Sequence, residues 1–513
     1  MFKKKLSEIA GDFPIVHSGQ KGDPEISGIA YDSRNAGPGS LFVALAGVHT
    51  DGLRFVADAV SRGASAVMME KEGEGHVAIK DASGVPLILV PDARRAMSAI
   101  SARLYDNPSE KLFVIGVTGT DGKSSTVWFI HQLLEKLGYA SGFLSTTYCQ
   151  TGDKMEDNPF RQSTPESPEI QRLIAGMVTN KKEYAVIEAT SHGLSEKTAR
   201  LLDVHFDAAV FTNIAHEHLE FHGTLEQYRH DKANLFRMTA SSHRKNGKPA
   251  HFGVVNAGSP YCSYFAGAGE LQVYSFGTGD TDADIVAKSI STSLSGSTFG
   301  IRYRNQVIPA HLTIPGAVNV DNSLAAILAV HGATNRHVAE IIALLSGLTG
   351  VRGRMVRIDR GQPFLLFVDF AHTPQAFDKV FPMVRKETRG RLISVFGSAG
   401  ERDTTKRPMQ GKAADSACDV IILTDEDPRG EDRMKILEDI ASGCSSKTRG
   451  KDLFIIPDRR EAIRKAYALA GKNDTVMLLG KGHEKSIIYP EGPISWNEQS
   501  IAEELLAEIG YAK

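Results

Sequence analysis

The chain has few of the residues that staple or anchor a fold. Its 513 residues include 4 cysteines and 2 tryptophans. Cys149, Cys262, Cys418 and Cys444 are scattered with no metal-ligand spacing. They point to no disulfide framework and no zinc site, and they fit a reducing compartment. Net charge is nearly absent as well: 59 basic against 61 acidic side chains leave −2 at pH 7. So neutral a balance gives no electrostatic reason to expect nucleic acid or a charged membrane surface as a partner. No apolar run approaches the ~18 residues of a membrane span. The basic start "MFKKKLSEIAGDFP" leads into no apolar signal core. The expected address is the cytoplasm and the expected state a monomer. No internal repeat or low-complexity tract stands out.

What is present is alternation. At roughly 100–200 residues per domain the length predicts about three domains. Residues 1–106 carry short apolar runs ("SLFVALAG", "ASAVMME", "VPLILV") between Gly-rich turns, the pattern of a small α/β domain. "YDNPSEK" at 105–111 has turn chemistry and reads as a linker. Residues 107–350 open with the strand "KLFVIGVTG". The helical pattern "SSTVWFIHQLLEKLG" follows, then the strands "YAVIEAT" and "AAVFTNI". Strands alternating with helices predict a mostly parallel, doubly wound sheet. Residues 351–513 form the most regular stretch, a Rossmann-like α/β pattern. Four apolar runs end in polar clusters: "FLLFVDFAHTP", "RLISVFGSAGERD", "DVIILTDEDPRGED" and "TVMLLGKGHEK". Ligands of open parallel sheets bind at the carboxyl ends of strands, so these clusters predict a binding face.

The segment "GVTGTDGKSST" at 116–126 carries the clearest chemistry. The strict P-loop spacing fails by one position, since Val117 stands where its first Gly belongs. The physics survives. A strand enters a turn containing Gly116, Gly119 and Gly122, then Lys123 and Ser124 open a helix. Backbone N–H groups and the helix N-terminus face an anion. Lys123 can reach the outer phosphates of a nucleotide, and Ser124 or Ser125 can reach Mg²⁺. This predicts an enzyme that uses a nucleoside triphosphate, without naming the reaction. Glu188 and His218 follow later apolar strands and could hold a second Mg²⁺, although that ion prefers oxygen. Lys232 is the odd neighbour, because a cation beside a metal is unfavourable unless it is made anionic.

The segments "GTDGKSS", "IEATSHGLS", "TNIAHEHLEFHG", "HDKANLF", "IPGAVNVDNSLAA", "VRGR", "VDFAHTPQAF", "FGSAGERDTTKRPMQG", "DEDPRGED" and "GKGHE" occur in that order, after "YDSRNAGPGSLFVALAGVHTDG" at 31–52. Together they resemble the Mur ligases over essentially the whole chain. The likeness is greatest to the branch that adds the third residue of the bacterial peptidoglycan stem. Most of these motifs are weak singly and specific jointly. The resemblance implies an ATP-dependent amide ligase of cell-wall synthesis. An ATP phosphoryl group goes to a substrate carboxylate, and the amine of an incoming amino acid attacks the acyl phosphate. The implied partners are UDP-MurNAc-L-Ala-D-Glu and a diamino acid, with ATP and Mg²⁺.

Carried over residue by residue, the resemblance implies that Gly119, Thr120, Asp121, Gly122, Lys123, Ser124 and Ser125 hold ATP. Ser124 would meet one Mg²⁺. Glu188, His218 and Lys232 would form the second metal region, and with Lys123 the catalytic set. The matching lysine is carbamylated in the family, which would make Lys232 an anion. Asn319 and Asn322 match adenine-side residues. Arg354 and Asp369 match a contribution from the third domain, so the nucleotide site would complete on domain closure. Tyr31, Ser33 and the loop of Val48, His49 and Thr50 would hold the UDP end. Ser163, Thr164, Thr190 and Arg200 match residues around the sugar and dipeptide. Arg402, Glu426, Asp427, Pro428, Arg429, Gly480 and Glu484 would meet the incoming amino acid. Arg429 suits a carboxylate and Glu484 an ammonium.

Several positions depart from the family pattern. Asp121 stands where Asn is common, and Arg352 where Pro is usual. The stretch before Arg200 is slightly longer. Asp427 replaces the Asn expected beside Arg429 in diaminopimelate-adding members. An amide donates to a carboxylate and an ionised Asp does not, which favours a side-chain ammonium, as in lysine or ornithine. Arg429 and "GKGHE" pull toward meso-diaminopimelate, which the sequence leaves slightly ahead. Two other readings are a folylpolyglutamate synthetase-like ligase, which would lack the 31–52 and 425–432 segments, and a P-loop nucleotide switch without a second substrate pocket.

Overall fold

Strands buried on both faces organise the chain, and the parallel strands at the heart of each main sheet bring their carboxyl ends to one edge. The computed structural model describes residues 2–17, 22–47, 51–71, 84–160, 162–214 and 219–511. Val48, His49, Thr50 and His218 fall outside these residues. Two units make up the chain: residues 1–289 with 299–310 and 320–345, and residues 346–513 with 290–298 and 311–319.

The first unit begins with a five-stranded sheet in the order Ile15–His17, Pro86–Val90, Ala66–Glu70, Ser40–Val43, Gly28–Ala30. All its pairs are parallel except the first. Side chains alternate across it. Leu41, Val43, Met68 and Ile88 pack toward the helix Ala93–Leu104, while Phe42, Val67 and Leu87 pack toward Val56 and Ala59. Asp92 caps that helix through the Arg95 N–H. The chain turns at Asp106 and Asn107, both with positive φ, before the short helix Pro108–Lys111.

The larger sheet of the chain has 11 strands. Its parallel heart runs Ser141–Leu144, Tyr184–Glu188, Phe113–Thr118, Ala208–Phe211, Phe252–Asn256, Gln272–Thr278. The phosphate-loop strand Phe113–Thr118 is central, between Tyr184–Glu188 and Ala208–Phe211. The chain winds outward in both directions from it, which opens a crevice at its carboxyl end. Tyr148–Gln150 and Glu156–Asp157 add antiparallel edge strands.

One buried titratable group lies in this layer. His131, on the helix Lys123–Lys136, is 4% exposed, with Nδ1 2.7 Å from Ser141 Oγ. Burial pushes its imidazole down to about 4. The unfolded chain takes up a proton near pH 6.5 and the folded chain does not until about pH 4, so stability falls as pH drops through that window. The loss amounts to about 2 kcal/mol at pH 5. We expect His131→Gln, whose amide can still meet Ser141, to lose less of its urea midpoint between pH 7 and pH 5 than the unaltered chain. An equal decline in both would refute the assignment.

The second unit carries a six-stranded sheet in the order Val356–Ile358, Leu365–Asp369, Thr475–Leu479, Leu392–Phe396, Val420–Leu423, Leu453–Ile455. All pairs but the first are parallel. The four strands read from sequence are present, and Leu453–Ile455 is a fifth parallel strand that the reading omitted. No helix among the described residues is long and apolar enough to cross a membrane. Cys149, Cys262, Cys418 and Cys444 all carry free thiols.

Candidate active site

The strand Phe113–Thr118 runs into Gly119 and Gly122, whose φ angles of 149° and 83° suit glycine. Space requires glycine too. A Cβ on Gly119 would lie 1.9 Å from Thr212 Oγ1, and one on Gly122 2.2 Å from Asn322 Oδ1. The loop is fastened from the next strand over. Asn213 accepts from the Thr120 N–H (2.8 Å) through its carbonyl and from the Asp121 N–H (2.9 Å) through its side chain. Thr212 Oγ1 donates to the Asp121 carbonyl (2.7 Å).

Two ammonium groups converge on one oxygen of this loop. Lys123 Nζ donates to the Gly119 carbonyl (3.1 Å) and to the Thr120 carbonyl (2.7 Å). Lys232 Nζ, 1% exposed, donates to the same Gly119 carbonyl at 2.6 Å and lies 4.4 Å from the centre of the Tyr228 ring. The Lys123 ammonium beside a helix N-terminus suits a polyphosphate.

Glu188 ends its strand beside the loop. Its carboxylate accepts from Ser124 Oγ (2.9 Å), the Thr146 hydroxyl (2.9 Å) and the Thr146 N–H (2.9 Å). Thr146 Oγ1 is 2.7 Å from Ser163 Oγ. Hard oxygen donors of this kind fit Mg²⁺. Thr164 Oγ1 donates to the Glu188 carbonyl (2.9 Å) and lies 3.0 Å from Thr190 Oγ1, and Thr190 caps the following helical turn. Ser124, Glu188, Ser163, Thr164 and Thr190 therefore form one connected group.

Behind Lys232, buried His222 places Nδ1 2.8 Å from Asp231 Oδ2 and Nε2 3.0 Å from Ser191 Oγ. This ties together three segments around the lysine. Of the other predicted residues, Arg200 joins the group of Ser124 and Glu188 through Thr164. Ser125 is half-buried on the first helical turn. Tyr31 donates to Glu169 Oε1 (3.1 Å), and burial with that carboxylate raises its phenol. Ser33 is buried and bonds Asp58. Arg200 is engaged by Glu166 (2.9 Å) and the Thr164 carbonyl (3.1 Å).

In the second unit, Asn319 donates to the Pro315 carbonyl (2.7 Å). Asp369 accepts from the Met355 and Ala371 N–H groups, both at 2.7 Å, and Arg354 lies 4.9 Å over the Phe370 ring. Burial raises the Asp369 carboxyl, and Arg354 opposes that rise.

The loops after Val420–Leu423 and Thr475–Leu479 meet around one buried cation. Lys481 Nζ lies 2.8 Å from Asp427 Oδ1 and 2.5 Å from Glu484 Oε2. Asp427 Oδ1 also accepts from the Ile488 N–H (3.0 Å), and its Oδ2 is 3.9 Å from Arg429. Glu426 is buried beside Gly480, where a Cβ would come within 2.9 Å of Glu426 Oε2. Burial raises the carboxyls of Glu426 and Glu484. Glu426 Oε2 and Arg429 Nε are buried without a hydrogen-bond partner among the described residues, leaving an acceptor and a donor in one loop. Pro428 is buried between them, and Arg402 is exposed.

One guanidinium frames this pocket. Arg459 donates to the carbonyls of Asp425 (3.0 Å) and Leu479 (2.8 Å) and to Glu498 (2.6 Å), with both charged side chains wholly buried. Breaking such a pair by removing one partner costs about 3–5 kcal/mol.

Sequence reasoning passed over Thr146, Asn213, His222, Asp231, Lys481 and Arg459. Asn213, His222, Asp231 and Lys481 lie inside the motifs quoted above, but each has a partner in another segment or element of the chain. Thr146 and Arg459 carry no local signal.

The family comparisons agree along the chain. Residues 117–330 match the Mur ligase middle domain, 353–482 the Mur ligase glutamate ligase domain, and 25–105 the Mur ligase family catalytic domain. A UDP-N-acetylmuramyl-tripeptide synthetase of Treponema denticola is 46% identical, with 98% of each chain covered. A UDP-N-acetylmuramoyl-L-alanyl-D-glutamate–2,6-diaminopimelate ligase of Caldanaerobacter subterraneus is 37% identical over 95% of this chain and 96% of its own. A solved structure of a ligase with the latter name superposes with a TM-score of 0.64 at 27% identity, covering 94% of this chain and 95% of its own. The chain is an enzyme of the Mur ligase family.

Proposed function

We propose that this ligase joins a diamino acid to the D-glutamate end of UDP-MurNAc-L-Ala-D-Glu in the cytoplasm, acting as a monomer. In this reading residues 1–106 hold the UDP end, 107–350 bind ATP with Mg²⁺, and 351–513 bind the amino acid. The observation that carries it is the pair of charge arrangements. Lys123 stands at a phosphate loop beside the oxygen group of Ser124 and Glu188, and a loop of the second unit presents a buried acceptor and donor suited to a zwitterion.

ATP supplies a phosphoryl group that turns the substrate carboxylate into an acyl phosphate. The chain's task is to let anions approach and to hold the amine in line. Lys123 and the loop amides would neutralise the phosphates, and Ser124 and Glu188 would hold Mg²⁺ through oxygen. Asn319, Asn322, Arg354 and Asp369 would attend the nucleotide, and Tyr31, Ser33, Ser163, Thr164, Thr190 and Arg200 the muramyl peptide. Arg429 would receive the amino acid's carboxylate, and Glu426 with Glu484 its ammonium groups.

For the third residue the geometry tilts the other way from the sequence, toward a basic amino acid. Asp427 lies against Arg429, the cation that would receive a carboxylate, and is itself held by Lys481 and the Ile488 N–H. Ornithine or lysine carries one carboxylate and two ammonium groups, so it needs one such cation only. The second carboxylate of diaminopimelate would need a donor that an ionised Asp427 does not supply.

The test is phosphate release from ATP in the presence of UDP-MurNAc-L-Ala-D-Glu, with L-ornithine, L-lysine and meso-diaminopimelate offered separately. Release that depends on a basic amino acid, with a product of matching mass, is the expected result. Dependence on diaminopimelate alone would overturn the specificity, and release indifferent to all three would overturn the ligase reading.

A further inference from the structure

We propose that Glu110, His205 and His243 bind a divalent transition-metal ion of the zinc class at the edge of the central sheet opposite the phosphate loop. Their ligand atoms all lie within 4.8 Å of one another. His205 Nε2 is 3.6 Å from Glu110 Oε1, and the His205 and His243 rings have centroids 5.0 Å apart. Metal–ligand bonds of about 2.0–2.2 Å in a tetrahedral site place donors roughly 3.3–3.6 Å apart. The Glu110–His205 pair already stands at that separation. His243 is exposed, so its ring can close the remaining gap by rotation.

The setting is built rather than incidental. Glu110 lies on the short helix Pro108–Lys111, just before the strand Phe113–Thr118. His205 precedes the strand Ala208–Phe211, which runs parallel to it. The cluster thus sits at the amino ends of strands whose carboxyl ends carry the phosphate loop. Lys245 fixes the frame. Its ammonium donates to the Leu112 and His205 carbonyls, both at 2.9 Å, and is neutralised by the wholly buried Asp207. The His205 N–H donates to Ser109 Oγ (3.1 Å), so the backbones carrying Glu110 and His205 are held together before any ion arrives.

Two imidazoles and one carboxylate select zinc, nickel, copper or cobalt over magnesium, which takes oxygen ligands. Three protein ligands leave one position for water. The ion would join the linker after the first sheet to the start of the central one, and so act on stability.

The experiment is a titration of the intact chain with Zn²⁺, followed calorimetrically, and with Co²⁺, followed by its visible absorption. Excess Mg²⁺ is kept present throughout. We expect the unaltered chain to bind one more equivalent than His243→Ala or Glu110→Gln, and its thermal midpoint to rise with Zn²⁺ where theirs does not. His243 is exposed, so its variant keeps the fold. Identical stoichiometry in all three chains, or an extra equivalent retained by either variant, would overturn the proposal.

Discussion

Lys232→Ala is expected to lose nearly all ligation, with kcat falling by about 10²–10³-fold or more, as when a charge-stabilising group is removed from a closed site. The side chain is buried against the Gly119 carbonyl, at the point where Lys123 also arrives. Two states of Lys232 make opposite predictions. As a bare cation it serves the phosphates directly, and Lys232→Arg keeps part of the activity while added carboxylates do nothing. As a carbamate it offers oxygen to Mg²⁺. Acetate or propionate then partly restores Lys232→Ala, and Lys232→Arg stays inactive. We expect the second pattern, because Glu188, Ser124 and Thr146 already form an oxygen-rich neighbourhood in which a second anion is useful. Full activity in Lys232→Ala would remove this lysine from the mechanism.

Asp427→Asn is expected to raise the ratio of kcat/KM for diaminopimelate over ornithine or lysine by about tenfold to a hundredfold. That corresponds to one charged hydrogen bond of about 1.5–3 kcal/mol. The substitution removes a negative charge 3.9 Å from Arg429 and supplies an amide able to donate to a carboxylate. Lys481 keeps Glu484 at 2.5 Å, so the buried ammonium is not stranded and the fold should hold. An unchanged ratio with normal turnover would locate selectivity elsewhere in the pocket.

The legible parts of this molecule were those whose physics is local. Gly119, Gly122, Lys123 and Ser124 are contiguous, and a strand, a tight turn and a helix start announce themselves within a dozen residues. The polar ends of the strands Leu365–Asp369, Leu392–Phe396, Val420–Leu423 and Thr475–Leu479 were legible for the same reason. Leu453–Ile455 was missed because three residues carry little periodicity. Asp427 looked from sequence like a free anion facing substrate. Its attachment to Lys481 and Ile488 depends on a loop more than fifty positions away. The His222–Asp231–Ser191 chain was hidden likewise, since its members are unremarkable until the topology stacks their segments.

Arg459 holds the backbones at the roots of the loops after Val420–Leu423 and Thr475–Leu479, and Glu498 holds Arg459. Asp427 makes no contact with Arg459 or Glu498 among these bonds, so a substitution there leaves the frame in place. Aspartate and asparagine codons differ by one base, so if Asp427→Asn shifts the preference as expected, a lineage could exchange the building block of its wall through a single mutation at position 427. The scaffold that presents the choice would pass unchanged to its descendants.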